Sequence, residues 1–277
     1  RTVRLVTISL NGDPSVTTPE AMIFFRWDLS PDSNNFGRLT WMRVLRFDDE
    51  DIPFRVQEVE YTYMDEADPS LSPSLGKTGD LIQVVQRTRV DRGPSEPHSW
   101  QERVWQYRYH NAGAGGSTSY GWVGDDHQLR MVIEPEQFEY YAQKVSGAAA
   151  YPSELAAALL AKGDDDEAIP AEGQEPAVPV IGLASKIIEE YDTTGEQGVK
   201  TQYLQAGCGC SGGGSQSKRL SYTYKRHGVL GQPNDVHMST KIVEEYLDQS
   251  TWRTHRVMFH DMKLLGEPPV DHSEGEV

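Results

Sequence analysis

The chain has 277 residues, with 26 basic against 42 acidic side chains, a formal net charge of -16 and 37% hydrophobic residues. That charge excludes the basic footprint that nucleic-acid phosphates require and argues against an anionic membrane surface. The length permits one large domain or two small ones, no apolar run approaches the ~20 residues that span a bilayer, and two cysteines make no disulfide scaffold.

The chain opens Arg1-Thr2-Val3 with neither an initiator Met nor a signal-peptide pattern, which reads as a mature product or a piece of a longer polypeptide. Val3 to Leu10 is rich in β-branched residues and stops at the turn cluster Asn11-Gly12-Asp13-Pro14. Ala21 to Trp27 predicts a second strand, closed by Ser30-Pro31-Asp32-Ser33-Asn34-Asn35, and Leu39 to Phe47 a third. From Val56 to Tyr63 the pattern alternates. Val59, Tyr61 and Tyr63 share one face, and Glu58, Glu60 and Thr62 the other, as in a half-buried strand.

The pair Tyr-x-Tyr recurs at 61–63, 107–109 and 222–224, each time predicted to end a strand. Aromatic residues suit pleated surfaces, where they pair across strands. A longer echo joins Ser185-Lys186-Ile187-Ile188-Glu189-Glu190-Tyr191 to Thr240-Lys241-Ile242-Val243-Glu244-Glu245-Tyr246. Self-similarity at such spacing points to a repeat architecture.

Residues 146–182 differ from their surroundings. Ser153 as N-cap and Gly163 as stop predict one short Ala-rich helix, followed by Asp164-Asp165-Asp166-Glu167 and a Pro-rich connector. This segment reads as a linker or excursion with the character of a lid, a plug or a loose tether. The expected organisation is a β-rich region over 1–145, the linker over 146–182, β-hairpins over 183–266 and an acidic tail over 267–277. A glycine-rich stretch, Gly207 to Ser217, interrupts the last β region.

Several of these segments resemble the YD-repeat proteins of the rearrangement-hot-spot (Rhs) family. Tyr191-Asp192-Thr193-Thr194-Gly195 has the Tyr-Asp-x-x-Gly core of a repeat, and Gln128 to Tyr141 reads as a complete one: strand, short turn, strand. Gly79 to Val85, the Tyr-x-Tyr strands, Gly207 to Gly214 and the Glu-Glu-Tyr segments fit the same style. The resemblance covers residues 38–145 and 183–265. It implies a mainly β fold of stacked antiparallel hairpins that winds into a spiral or shell-like sheet. It further implies a bacterial secreted or cell-surface structural protein: a shell wall around a cargo, a fibre segment or an adhesive surface. Its partners would be other segments or copies of the same kind, joined through sheet edges, with no nucleic acid and no membrane insertion. Physically, one hairpin is marginal in water, and stacking pairs the backbone groups along its edges.

Chemical motifs are sparse. Cys208-Gly209-Cys210 offers a weak metal pair, a strained disulfide or two free thiols; a zinc site would need His227 or His237 to complete it. His255 and His260 have an odd spacing, which sends side chains of a strand to opposite faces. The acidic runs 48–51, 125–126 and 164–167 match no calcium loop and read as solvated faces. No residue set reads as catalytic and no cofactor is expected. Two alternatives stand beside the structural reading. One is a carbohydrate-binding module using exposed aromatics, with Trp41, Trp105, Trp122 and Trp252 as the speculative platform. The other is a hydrolase using carboxylates such as Asp125, Glu134 and Glu136.

Overall fold

The computed structural model describes residues 3–8, 21–47, 52–90, 99–111, 124–145, 152–168, 179–191, 199–204, 218–227, 237–248 and 251–263. The chain divides into two compact units: Arg1–Gly121 with Asp125–Lys186, and Trp122–Gly124 with Ile187–Val277. The expected mainly β fold with antiparallel hairpins is what the chain adopts. In the first unit β1 (Val3–Ile8), β2 (Ala21–Trp27), β3 (Leu39–Phe47), β4 (Pro53–Tyr63), β5 (Leu81–Val90), β6 (Ser99–Tyr109) and β7 (Leu129–Ile133) follow one another in space as in sequence. Every consecutive pair among them is antiparallel. Two helices, α1 (Pro135–Val145) and α2 (Pro152–Leu159), complete this unit.

The second unit takes β8 (Lys186–Tyr191, whose first residue closes the first unit), β9 (Val199–Leu204), β10 (Lys218–His227), β11 (His237–Asp248) and β12 (Thr251–Lys263). Again the order is sequential, with β9 to β12 paired antiparallel. The echoed heptads fall on β8 and β11. Their Glu-Glu pairs do the same job: Glu190 meets Lys200, while Glu244 and Glu245 meet Lys218 and Arg219.

Helix α1 corrects the reading of Gln128 to Tyr141 as strand, turn, strand. The first part is β7, but Pro135 then begins a helix. Glu134-Pro135-Glu136 carries the reason: Pro is preorganised for the first helical turn, and an acidic side chain there favours the helix dipole. Phe138 is buried by the helix rather than by strand alternation. Helix α2 lies where a helix is expected, but Ser153 is inside it and donates its hydroxyl to Glu102 Oε2 at 2.6 Å instead of capping. Likewise Tyr63 and Tyr109 end their strands, whereas β10 runs on beyond Tyr224 to His227.

The polar side of the β4 alternation is only partly a solvent face: Glu58 is buried, whereas Glu60 stays half-exposed. Cross-strand register places Arg43, Glu58, Arg87 and Glu102 directly opposite one another over β3, β4, β5 and β6. The signs alternate, and neighbours meet at 2.7, 3.7 and 2.6 Å. Helix α2 packs on this same face of β6, where Ala156 O accepts from Gln106 Nε2 and Leu155, Ala156 and Leu159 are buried. Charges that neutralise one another in register can share a covered face with aliphatic side chains such as Val85 and Val104.

Each Tyr-x-Tyr segment has a repeated structural job. Tyr63 donates its hydroxyl to Leu39 O at 2.9 Å, Tyr109 to Leu81 O at 3.0 Å, and Tyr224 to Val199 O at 2.6 Å. In all three the acceptor is the first residue of the preceding strand, so the tyrosine latches the open end of its own hairpin. Replacing Tyr63, Tyr109 or Tyr224 singly by Phe is expected to cost about 1 kcal/mol each, the usual net value of a hydrogen bond, in urea unfolding midpoints.

Glu58 gives the sheet a pH response. Burial alone would raise its pKa, but hydrogen bonds and charge from Arg43 and Arg55 outweigh this and hold it below the usual glutamate range. A depressed folded pKa contributes stability above the unfolded value and loses it below. The contribution of Glu58 is therefore complete above about pH 4.3 and disappears as the pH falls toward its lower folded value. Acid titration of unfolding free energy should show a shallower decline over that window in Glu58→Gln than in the parent.

Candidate ligand cleft

Among the sequence-predicted site residues, Trp41 lines a cleft in the first unit. Register sets Arg26 of β2 opposite Trp41 of β3, and Trp41 opposite Glu60 of β4, so three chemically different side chains stand in one row. This row lies two residues along from the Arg43–Glu58 pair, on the same face. Thr40, Thr62, Trp27, Asp28, Leu29 and Ser30 complete the walls of a cavity of about 640 Å³.

The loop between β2 and β3 makes the end wall. Asp28 and Arg38 close it by backbone hydrogen bonding, Asp28 N to Arg38 O at 2.9 Å and Gly37 N to Asp28 O at 2.7 Å. Gly37 has φ +78°, a left-handed conformation that side-chain-bearing residues adopt at a cost. The turn cluster read from the sequence supplies the rest. Asp28 Oδ1 accepts from Ser30 N at 3.0 Å and Oδ2 from Ser33 Oγ at 2.5 Å, an Asx-type turn that fixes the carboxylate.

The remaining walls are also held. The Arg43 guanidinium lies 4.2 Å from the Trp41 ring centroid and is itself anchored on Glu58. Thr40 Oγ1 donates to Arg26 O at 3.1 Å, and Glu60 pairs with Arg87 at 2.8 Å. The hydrogen bond from the Ser33 hydroxyl, followed by that from Ser30 N, holds the Asp28 carboxyl below the usual aspartate range. The cleft thus offers an aromatic wall, ionised acceptors, a guanidinium donor and hydroxyls.

The four tryptophans do not form one platform. Trp41, Glu60, Val85 and Val104 are successive cross-strand partners, so Trp105, the next residue after Val104, belongs to the opposite sheet face. Trp252 is in the second unit, where its ring lies 5.7 Å from that of Tyr203 and 4.6 Å from the Arg219 guanidinium carbon. Trp122, Cys208, Cys210, Asp192 and Gly195 lie outside the described residues, as do the acidic run 48–51 and the tail. Tyr191 ends β8, and its hydroxyl pKa is pushed up to about 12 by burial and, less strongly, by Tyr224. Asp125, Glu134 and Glu136 are exposed around β7 and the start of α1. Among the described residues no group of three or more His, Cys, Asp or Glu is placed to hold a metal ion, and no helix is long and apolar enough to cross a membrane.

Sequence reading singles out Trp41 but misses Arg26, Asp28, Glu60 and Thr62. Only strand register brings them together, although the turn cluster after Trp27 marks the loop that carries Asp28. No family model, curated protein or solved structure matches this chain.

Ser33→Ala removes the strongest support of the Asp28 carboxylate. Side-chain carbon NMR titration should show the Asp28 pKa rising toward the ordinary aspartate value, with the titrations of Glu66 and Asp68 unmoved.

Proposed function

We propose that the chain is a non-enzymatic structural module that assembles through its β-hairpins, as shell wall, fibre segment or adhesive surface of a bacterial secreted or surface protein. The observation that carries this reading is the repeated latched hairpin. Tyr63, Tyr109 and Tyr224 perform one job at three places in two units. A chain built by repeating one supersecondary unit extends by adding further units, and its stability accumulates with them. The YD-repeat assignment and the bacterial surface location rest on the sequence resemblance, which the helical residues 135–145 shorten by one repeat.

The assembly edge is assigned to β12. This strand has 13 residues and, among the described strands, pairs with β11 alone. Thr251, Arg253 to Val257, Phe259 and His260 are exposed, with Val257 at 44% and Phe259 at 71%. A long edge strand is a template for another strand; the exposed Arg253 and Arg256 work against pairing at the start of β12, so the apolar stretch Val257 to Phe259 is where pairing is favoured and where added charge would block it. Sedimentation velocity and electron microscopy of the protein from its native source should therefore show particles or fibres much larger than one 31.0 kDa chain. In the recombinant chain, the double substitution Val257→Lys with Phe259→Lys should shift the larger species to monomer. A parent protein that stays a monomer at every concentration would overturn the reading.

A further inference from the structure

We propose that the cleft of Arg26, Trp41, Glu60, Thr62 and Asp28 binds a neutral oligosaccharide. The inference stands apart from assembly, because the cleft lies wholly in the first unit and β12 in the second.

The ligand class follows from the wall chemistry. A sugar ring presents C–H groups on its faces and hydroxyls around its edge. The indole of Trp41 suits the first, since aromatic faces carry negative charge that attracts C–H dipoles. The second need groups that both accept and donate. Asp28 and Glu60 accept, Arg26 donates, and the Thr62 and Ser30 hydroxyls do either. The volume of about 640 Å³ falls inside the range of roughly 300–1,000 Å³ usual for small-molecule sites.

Charge selects among polar ligands. The charges at the walls are already matched: Arg26 acts on Asp28, Arg87 pairs with Glu60 and Arg43 with Glu58. The chain as a whole carries -16. A phosphate or uronate would have to displace one of these carboxylates to reach a cation, whereas an uncharged polyol needs no such exchange. The walls are also preorganised. Arg43 on Glu58 holds the indole plane, and the Ser30 and Ser33 bonds hold Asp28. A site already fixed by its own contacts loses little freedom on binding.

The test is isothermal titration calorimetry of the whole chain with cellotetraose, chitotetraose, xylotetraose, mannotetraose and maltotetraose, with tetragalacturonate as the charged comparison. At least one neutral tetrasaccharide should bind with a Kd of about 1 mM or tighter. Trp41→Ala should weaken that binding about tenfold or more, the effect of losing one stacked aromatic contact. Trp105→Ala, on the opposite face, and Trp252→Ala, in the other unit, should leave it unchanged. If Trp41→Ala loses the near-ultraviolet circular dichroism of the parent, Thr62→Val decides. It keeps the β-branched shape and removes a hydroxyl, and should weaken binding severalfold. The proposal is overturned if no neutral tetrasaccharide binds at millimolar concentration, if tetragalacturonate binds best, or if affinity survives in the folded Trp41 variant or in Thr62→Val.

Discussion

A guanidinium cannot be buried alone, and the first unit is organised around one that is fully buried. Arg108 of β6 has no exposed surface, and burial lowers its pKa while Asp164 works against that. Its Nη1 donates to Asp164 Oδ1 at 2.9 Å, Lys162 O at 2.8 Å and Ser74 Oγ at 3.1 Å, and its Nη2 to Leu159 O at 3.1 Å. Those partners come from the end of α2, the turn that follows it and the short helical turn at 73–75. Arg130 of β7 joins the same carboxylate at 2.5 Å. The acidic run 164–167, which reads as a solvated face, thus contributes its first residue to the interior. Losing Asp164 would leave two guanidiniums buried against each other, a far greater cost than losing a surface pair.

This constraint explains why residues 152–168 belong to the first unit rather than swinging free as a tether. Backbone carbonyls at the C-terminal end of α2 need donors, and Arg108 supplies them from the sheet. The returning chain is fastened in turn, with Val180 N bonded to Asp166 O and Ile181 N to Asp164 O. Around this anchor Met64, Leu75 and Ile82 form an apolar cluster with Leu71 and Leu160. The helix then covers the β6 end of a face whose charges are already matched across strands, Arg43 to Glu58 to Arg87 to Glu102. Beyond the helix the same row arrangement continues toward the sheet's earlier strands, and there Trp41 stands between Arg26 and Glu60. Cleft and anchor are two regions of one polar sheet face, one covered and one open to a cavity.

The second unit uses the same elementary devices, with strands alone among its described residues. Its Glu-Glu pairs meet basic residues on a neighbouring strand, Glu190 with Lys200 of β9 and Glu244 and Glu245 with Lys218 and Arg219 of β10, and Tyr224 closes the β9–β10 hairpin as Tyr63 and Tyr109 close theirs. Here Arg219 is held between Glu245 and the Trp252 ring. Repetition of latch and charge pair in separately compact units is what makes a structural, additive module a coherent reading of the chain.

By itself, the sequence determined the local features. Period-2 alternation, β-branched runs and turn clusters mark β1, β2, β3 and β4, because side-chain direction along a strand is a local property, while the heptad echo marks β8 and β11. Tyr-x-Tyr was legible as a repeat, and Ala-rich composition marked α2. Local pattern failed at 134–141, where closely spaced aromatics imitated a strand while Pro135 started a helix. Tertiary structure alone decided which polar residues share a face. The assignment of Glu58 to Arg43 and Arg87 and of Arg26 and Glu60 to Trp41 depends on strand register, that of Arg108 to Asp164 on the docking of α2 and its following turn, and both are set by which distant segments meet. A one-residue slip would send each of those side chains to the other face, so the site could not be read before the sheet was assembled.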